Sequence, residues 1–134
     1  MSTTKRSYFT ANAPAPIGPY SQAVSFNGLL FISGQIAIEP ESGKMITDSI
    51  EQETEQVMLN LKAVLAAADC TFDNVIKASI FLKDMDDFAT VNRIYGSYLK
   101  EDGHYPARET VQVARLPKDA RVEISMIAAI DLKS

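Results

Sequence analysis

The chain has 134 residues, 46% of them hydrophobic and 22% charged, and a formal net charge of −4. That length fits one domain of ordinary size, and the composition excludes a disordered, collagen-like or low-complexity chain. The 13 Lys and Arg are scattered and outnumbered by 17 Asp and Glu, which argues against a nucleic-acid binder.

Met1 to Thr10 holds Lys5 and Arg6 but no apolar core, so no signal peptide is expected. No apolar run approaches the ~20 residues of a membrane span. A reduced, cytoplasmic setting is the resulting expectation. A weak strand is predicted near Arg6 to Thr10. Asn12 to Tyr20 carries Pro14, Pro16, Pro19 and Gly18, which makes it a stiff loop. Gln22 to Phe26 and Leu29 to Ser33 flank Asn27-Gly28, a strong hairpin signal because both turn positions favour positive φ.

A helix begins at Asp48 or Ser49, each with a capping-box partner three residues on. Ile50, Val57, Met58, Leu61, Val64, Leu65 and Ala68 form its apolar stripe. Glu51, Glu53, Glu55 and Gln56 fall off that stripe, near the helix N-terminus where acids are favoured. Val75 to Leu82 reads as a strand, with Ile76, Ala78, Ile80 and Leu82 on one face and Val75, Lys77, Ser79 and Phe81 on the other. A second helix follows, capped by Asp84, with Phe88, Val91, Tyr95 and Leu99 as its buried face. Strands at Glu109 to Arg115 and Arg121 to Ile130 enclose a turn at Leu116 to Asp119.

The order is therefore β-β-β-α-β-α-β-β, and two helices can cover one face of such a sheet. Leu29 to Ile32 is apolar on both faces, as in a strand buried on both sides. Phe81 and Val75 also point away from the inferred helix side. That much apolar surface calls for cover, and other copies of the chain are the expected cover.

The inventory of chemical groups is short. One cysteine, Cys70, leaves no internal disulfide and no cysteine zinc cluster, and one histidine, His104, leaves no multi-histidine metal site. Cys70 reads as a small hydrophobe and His104 as a solvated loop residue. Phosphate-loop, dinucleotide and zinc-deaminase motifs do not occur. Arg108, at a strand start, is either a surface charge or a planar fork for a carboxylate. Its face continues through Thr110 and Gln112. Glu123 interrupts an apolar strand and needs a partner or a water. It is either an interface salt bridge, with Arg108 or Arg121, or a base that orients water. Ser33-Gly34 marks a bend or exposes amides to a ligand. Tyr20 is a pocket wall or a packing anchor, and Asn92 breaks the apolar face of the second helix.

Ala15-Pro16-Ile17-Gly18-Pro19-Tyr20-Ser21-Gln22-Ala23, Ser33-Gly34-Gln35, Pro106-Ala107-Arg108, Leu116-Pro117-Lys118-Asp119 and Val122-Glu123-Ile124 follow in order. Together with Val75-Ile76-Lys77 and Phe88-Ala89-Thr90-Val91-Asn92 they resemble the RidA/YjgF family, from about Ala13 onward. The resemblance implies a single domain over 1–134 with a chorismate-mutase-like α+β fold, a mixed sheet with two helices on one face. It also implies a homotrimer whose sheets form a central barrel, with ligand pockets between subunits. Its implied activity is hydrolysis of enamines and imines such as 2-aminoacrylate to 2-oxo acids and ammonia, with no metal or cofactor. By position, Arg108 would grip the substrate carboxylate and Glu123 would hold the attacking water. Gly34 and Thr110 would contact ligand through their backbones, and Tyr20, Ser33 and Asn92 would line the pocket. Thr110 stands where many members have Cys, and Glu109 where many have Ser. A non-catalytic ligand-binding trimer and a ribonuclease acting on single-stranded RNA are the rival readings, the latter disfavoured by the acidic charge.

Overall fold

Asn27 and Gly28 adopt φ of 57° and 85°, the two positive values that a tight hairpin demands. They join β2 (Ala23–Phe26) to β3 (Leu29–Gln35), with Phe26 opposite Leu29. The structure, a computed structural model, describes residues 4–130. β1 (Arg6–Tyr8) adds to β2, and α1 (Ile50–Ala67) leads to β4 (Val75–Leu82). α2 (Phe88–Ser97), β5 (Ala107–Gln112) and β6 (Val122–Ala129) complete the chain. The six strands form one sheet in the order β1-β2-β3-β6-β4-β5. Among the described residues only the β4–β5 pair is parallel, so the sheet is mixed. A parallel neighbour requires a crossover, and α2 supplies it between β4 and β5. α1 packs on α2 and on β3 and β6.

Val57, Met58, Leu61, Val64 and Leu65 of α1 are fully buried and share a core with Leu30, Ile80, Ile124 and Met126 of the sheet. These side chains alternate along each strand, so one sheet face is the core and the other is open. Cys70 is buried in that core. Ser49 is the cap of α1: its hydroxyl accepts from the Gln52 amide at 3.1 Å. Asp84 caps a short 3₁₀ turn, Met85–Asp87, that runs into α2, so the α-helix itself starts at Phe88.

Three expectations need correction. Val75 is 6% exposed and belongs to the core, whereas Ile76 is 43% exposed. A register shift between Val75 and Lys77 against β6 reverses the alternation at that end of β4. Glu53 is not a solvated helix acid but is fully buried. Its two oxygens accept from the backbone amide and the Nε of Arg121, both at 2.7 Å. Arg121 therefore faces α1, where it also donates to the Thr47 carbonyl. The strand predicted at Glu109 to Arg115 runs instead from Ala107 to Gln112.

Candidate functional site

Two recesses hold the predicted residues, and the pairing register separates them. Glu123 of β6 lies opposite Phe81 of β4, which lies opposite Val111 of β5. That row is on the open face. Arg108 of β5 lies opposite Ala78, which lies opposite Met126. Ala78 and Met126 are core residues, so the Arg108 row is on the helix face. Within one chain Arg108 and Glu123 project from opposite faces of the sheet. Within one chain Glu123 pairs with neither Arg108 nor Arg121, and Arg121 is committed to Glu53. Among the described residues no cation pairs with Glu123.

The Glu123 recess has a volume of about 350 Å³ and is lined by Tyr20, Ser33, Gly34, Gln35, Ile36 and Ile38, with Pro14, Ala15, Ile17, Gln22 and Pro117. A bulge builds its floor. Ile32 pairs with Met126 and Gln35 with Ile124, so Ser33 and Gly34 together oppose Ser125. Gly34 has an ordinary φ, and what it provides is space. A Cβ there would stand 2.7 Å from Glu123 Oε2 and 2.8 Å from its Cδ. Gly34 thus admits the carboxylate itself. Ser33 donates from its hydroxyl to the Ser21 carbonyl at 2.6 Å, tying the bulge to the proline loop. The Glu123 carboxyl is half-buried among largely apolar walls, and that burial pushes its pKa above the ordinary 4.5.

Gln22 was not singled out in sequence as a structural organiser, yet it shapes this recess. It is buried, its Nε2 donates to the carbonyls of Thr10 and Pro14 at 3.0 and 2.9 Å, and its Oε1 accepts from the Thr10 amide at 2.7 Å. The stiff loop is folded around that one amide. Asn60 of α1 acts similarly on the other wall. Its Nδ2 donates to the carbonyls of Ile36 and Ile38 at 3.0 and 2.9 Å. A polar residue on the edge of an apolar helix stripe was the available signal for it.

The second recess, about 450 Å³, is lined by Asn92, Tyr95, Gly96, Leu99, Tyr105, Pro106 and Arg108. Arg108 Nη1 donates to Asn92 Oδ1 at 2.5 Å. Thr110 follows on the same face, and its hydroxyl is buried with no hydrogen-bond partner. β5 is the terminal strand of the sheet, so Arg108 and Thr110 sit on an edge. Glu109 points the other way, where it pairs with Lys77 at 3.3 Å and accepts from the Ser79 hydroxyl. The Ser79 bond, with help from Lys77, holds the Glu109 pKa below its ordinary value. His104 lies in an exposed loop. The structure thus brings Tyr20, Ser33, Gly34 and Glu123 together, brings Asn92 and Arg108 together, and keeps the two groups apart.

The family model described as Endoribonuclease L-PSP matches residues 10–130. The chain belongs to this family, the RidA/YjgF family. Both recesses of this RidA/YjgF chain lie within the matched span. A RutC family protein of Synechocystis is 52% identical over 122 residues, covering 90% of this chain and 93% of that protein. The mouse protein named 2-iminobutanoate/2-iminopropanoate deaminase is 48% identical over 119 residues, covering 89% of this chain and 87% of its own length. Among solved structures, a Rid family protein of Yersinia pestis aligns with a TM-score of 0.90 at 46% identity, covering 94% of this chain and 99% of that one. The six-stranded mixed sheet with two helices matches the fold of the Yersinia structure. No helix among the described residues is long and apolar enough to cross a membrane, and no group of three or more His, Cys, Asp or Glu there could hold a metal ion.

Proposed function

We propose that this RidA/YjgF chain hydrolyses enamines and imines of 2-amino acids, such as 2-aminoacrylate, to 2-oxo acids and ammonia. The observation that carries the proposal is the division of the site. A guanidinium suited to a carboxylate and a half-buried carboxylate suited to a water each line a recess, on opposite faces of one sheet. Neither recess holds both groups, and a second copy that set its β5 edge against the Glu123 recess would complete the site with its own Arg108. Phe31 and Val111, both more than 40% exposed on the open face, give such a copy an apolar surface to bury. A homotrimer with its pockets between subunits satisfies this need, and the mouse relative's name supports the reaction.

In the proposed reaction the enamine first tautomerises to the imine, its carboxylate held by Arg108. Glu123 of the adjoining copy positions a water, whose oxygen adds to the imine carbon while the nitrogen takes up a proton. The resulting carbinolamine re-forms a C=O bond and expels ammonia. Each turnover consumes one water and needs no covalent bond to the protein, so Thr110 in place of the family's frequent Cys leaves the chemistry intact. A carboxyl pKa raised above its ordinary value by burial suits a group that must take and return a proton.

The test is a coupled assay in which a serine or threonine dehydratase generates the enamine and 2-oxo acid formation is followed. Wild type should accelerate the step, and Arg108→Ala should lower kcat/KM by about 10- to 100-fold, the worth of a charge-assisted contact. No acceleration by an assembled wild-type protein that still binds 2-oxobutanoate would favour the ligand-binding reading instead.

A further inference from the structure

We infer that Phe88, Asn92 and Tyr95 of α2 form a cage that positions the Arg108 guanidinium for its carboxylate; this rests on the carboxylate role proposed above for Arg108. The three residues recur at helical spacing and present one face of α2 to β5. The Arg108 Cζ lies 5.6 Å from the Phe88 ring centroid and 5.5 Å from that of Tyr95, within the range of cation–π attraction. Asn92 Oδ1 fixes a third direction by accepting from Nη1.

Arg108 is an exposed residue on an edge strand, a setting in which a long side chain samples many rotamers. The cage removes that freedom before a ligand arrives, which is where affinity is gained by preorganisation. It does so with neutral groups. A carboxylate in place of Asn92 would neutralise the guanidinium and compete with the ligand. Only one Nη1 hydrogen is engaged by Asn92, and a guanidinium has five N–H donors. Asn92 therefore acts through Arg108, a more specific role than lining the pocket.

Tyr95 sharpens the argument. It is 5% exposed, and its hydroxyl is buried with no hydrogen-bond partner. Burial pushes the pKa of that hydroxyl up, against the opposing charge of Arg108, so the ring stays neutral. What Tyr95 offers the guanidinium is its π face, and its hydroxyl is dispensable to the cage.

Calorimetric titration of the assembled protein with 2-oxobutanoate tests this, alongside KM and kcat in the dehydratase assay. Phe88→Leu and Tyr95→Leu, which keep apolar volume but remove the π face, should each raise Kd and KM by about 3- to 30-fold with kcat nearly unchanged. Asn92→Asp should weaken 2-oxobutanoate in the same way. Tyr95→Phe and Phe88→Trp, which keep a ring, should bind as wild type does. Wild-type Kd in both leucine variants would overturn the cage. So would a Tyr95→Phe protein as weak as Tyr95→Leu, since the hydroxyl would then be the active group. If Arg108→Ala binds 2-oxobutanoate as tightly as wild type, the carboxylate role of Arg108 itself fails, a result separable from the others.

Discussion

Replacing Gly34 by alanine should damage activity far more than stability. The added Cβ would meet three Glu123 atoms, Oε2 at 2.7 Å, Cδ at 2.8 Å and Cγ at 3.1 Å. All three belong to one side chain whose far end can swing. Turning that side chain off its rotamer costs about 0.5–1.5 kcal/mol. Gly34 has no positive φ, so alanine also restricts the unfolded chain and returns about 0.4–1 kcal/mol. The two effects nearly cancel, and Tm should move by less than about 4 °C. The carboxylate, however, must retreat by some tenths of an ångström to about 1 Å, and a 1 Å misplacement costs on the order of 10²-fold in rate. The expected result is a kcat lowered about 10- to 100-fold in the dehydratase-coupled assay, with a melting curve close to that of wild type. A wild-type kcat would refute the placement of Glu123 over Gly34, and a Tm loss in proportion to the activity loss would assign the effect to packing.

Burial raises the Glu123 pKa in the folded state, so the folded protein holds that proton more tightly than the unfolded chain does. The stabilising contribution is then complete below pH 4.5 and is lost as pH rises through the raised folded value. Glu123→Gln should therefore be more stable than wild type at neutral pH, with a gain that shrinks to zero below pH 4.5, as urea titrations at several pH values would show; a gain that grew on acidification would contradict the sign. Asn60→Leu strips the Ile38 carbonyl of the side-chain donor it has here, while the Ile36 carbonyl keeps the Ile38 amide at 2.8 Å. It should cost about 1–3 kcal/mol in urea unfolding; a loss below about 0.5 kcal/mol would mean that water replaces the amide.

Much of this organisation is local and so was legible in the residues. Asn27-Gly28 specifies its own turn, and the three- and four-residue spacing of Val57 to Leu65 specifies a helix face. The alternation from Ala78 to Leu82 also survived folding. The errors fall where a distant partner decides. Val75 and Ile76 exchange faces because of how β4 registers against β6. Glu53 is buried because Arg121, 68 residues away, reaches it. The candidate site divides along the same line. Residue type marks Arg108, Asn92, Gly34 and Glu123 one by one. Their separation onto two faces follows from the pairing of β5 and β6 with β4, which no single segment encodes.

A site split between the faces of a sheet has a genetic consequence. Arg108→Ala and Glu123→Ala should each be impaired alone, but each retains the half that the other lacks. Co-expressed in equal amounts in one assembly, they would place an intact arginine across from an intact glutamate at about one junction in four. Two impaired parents would then yield co-assemblies with roughly a quarter of the wild-type turnover, and co-assemblies no more active than their parents would show that each copy works alone.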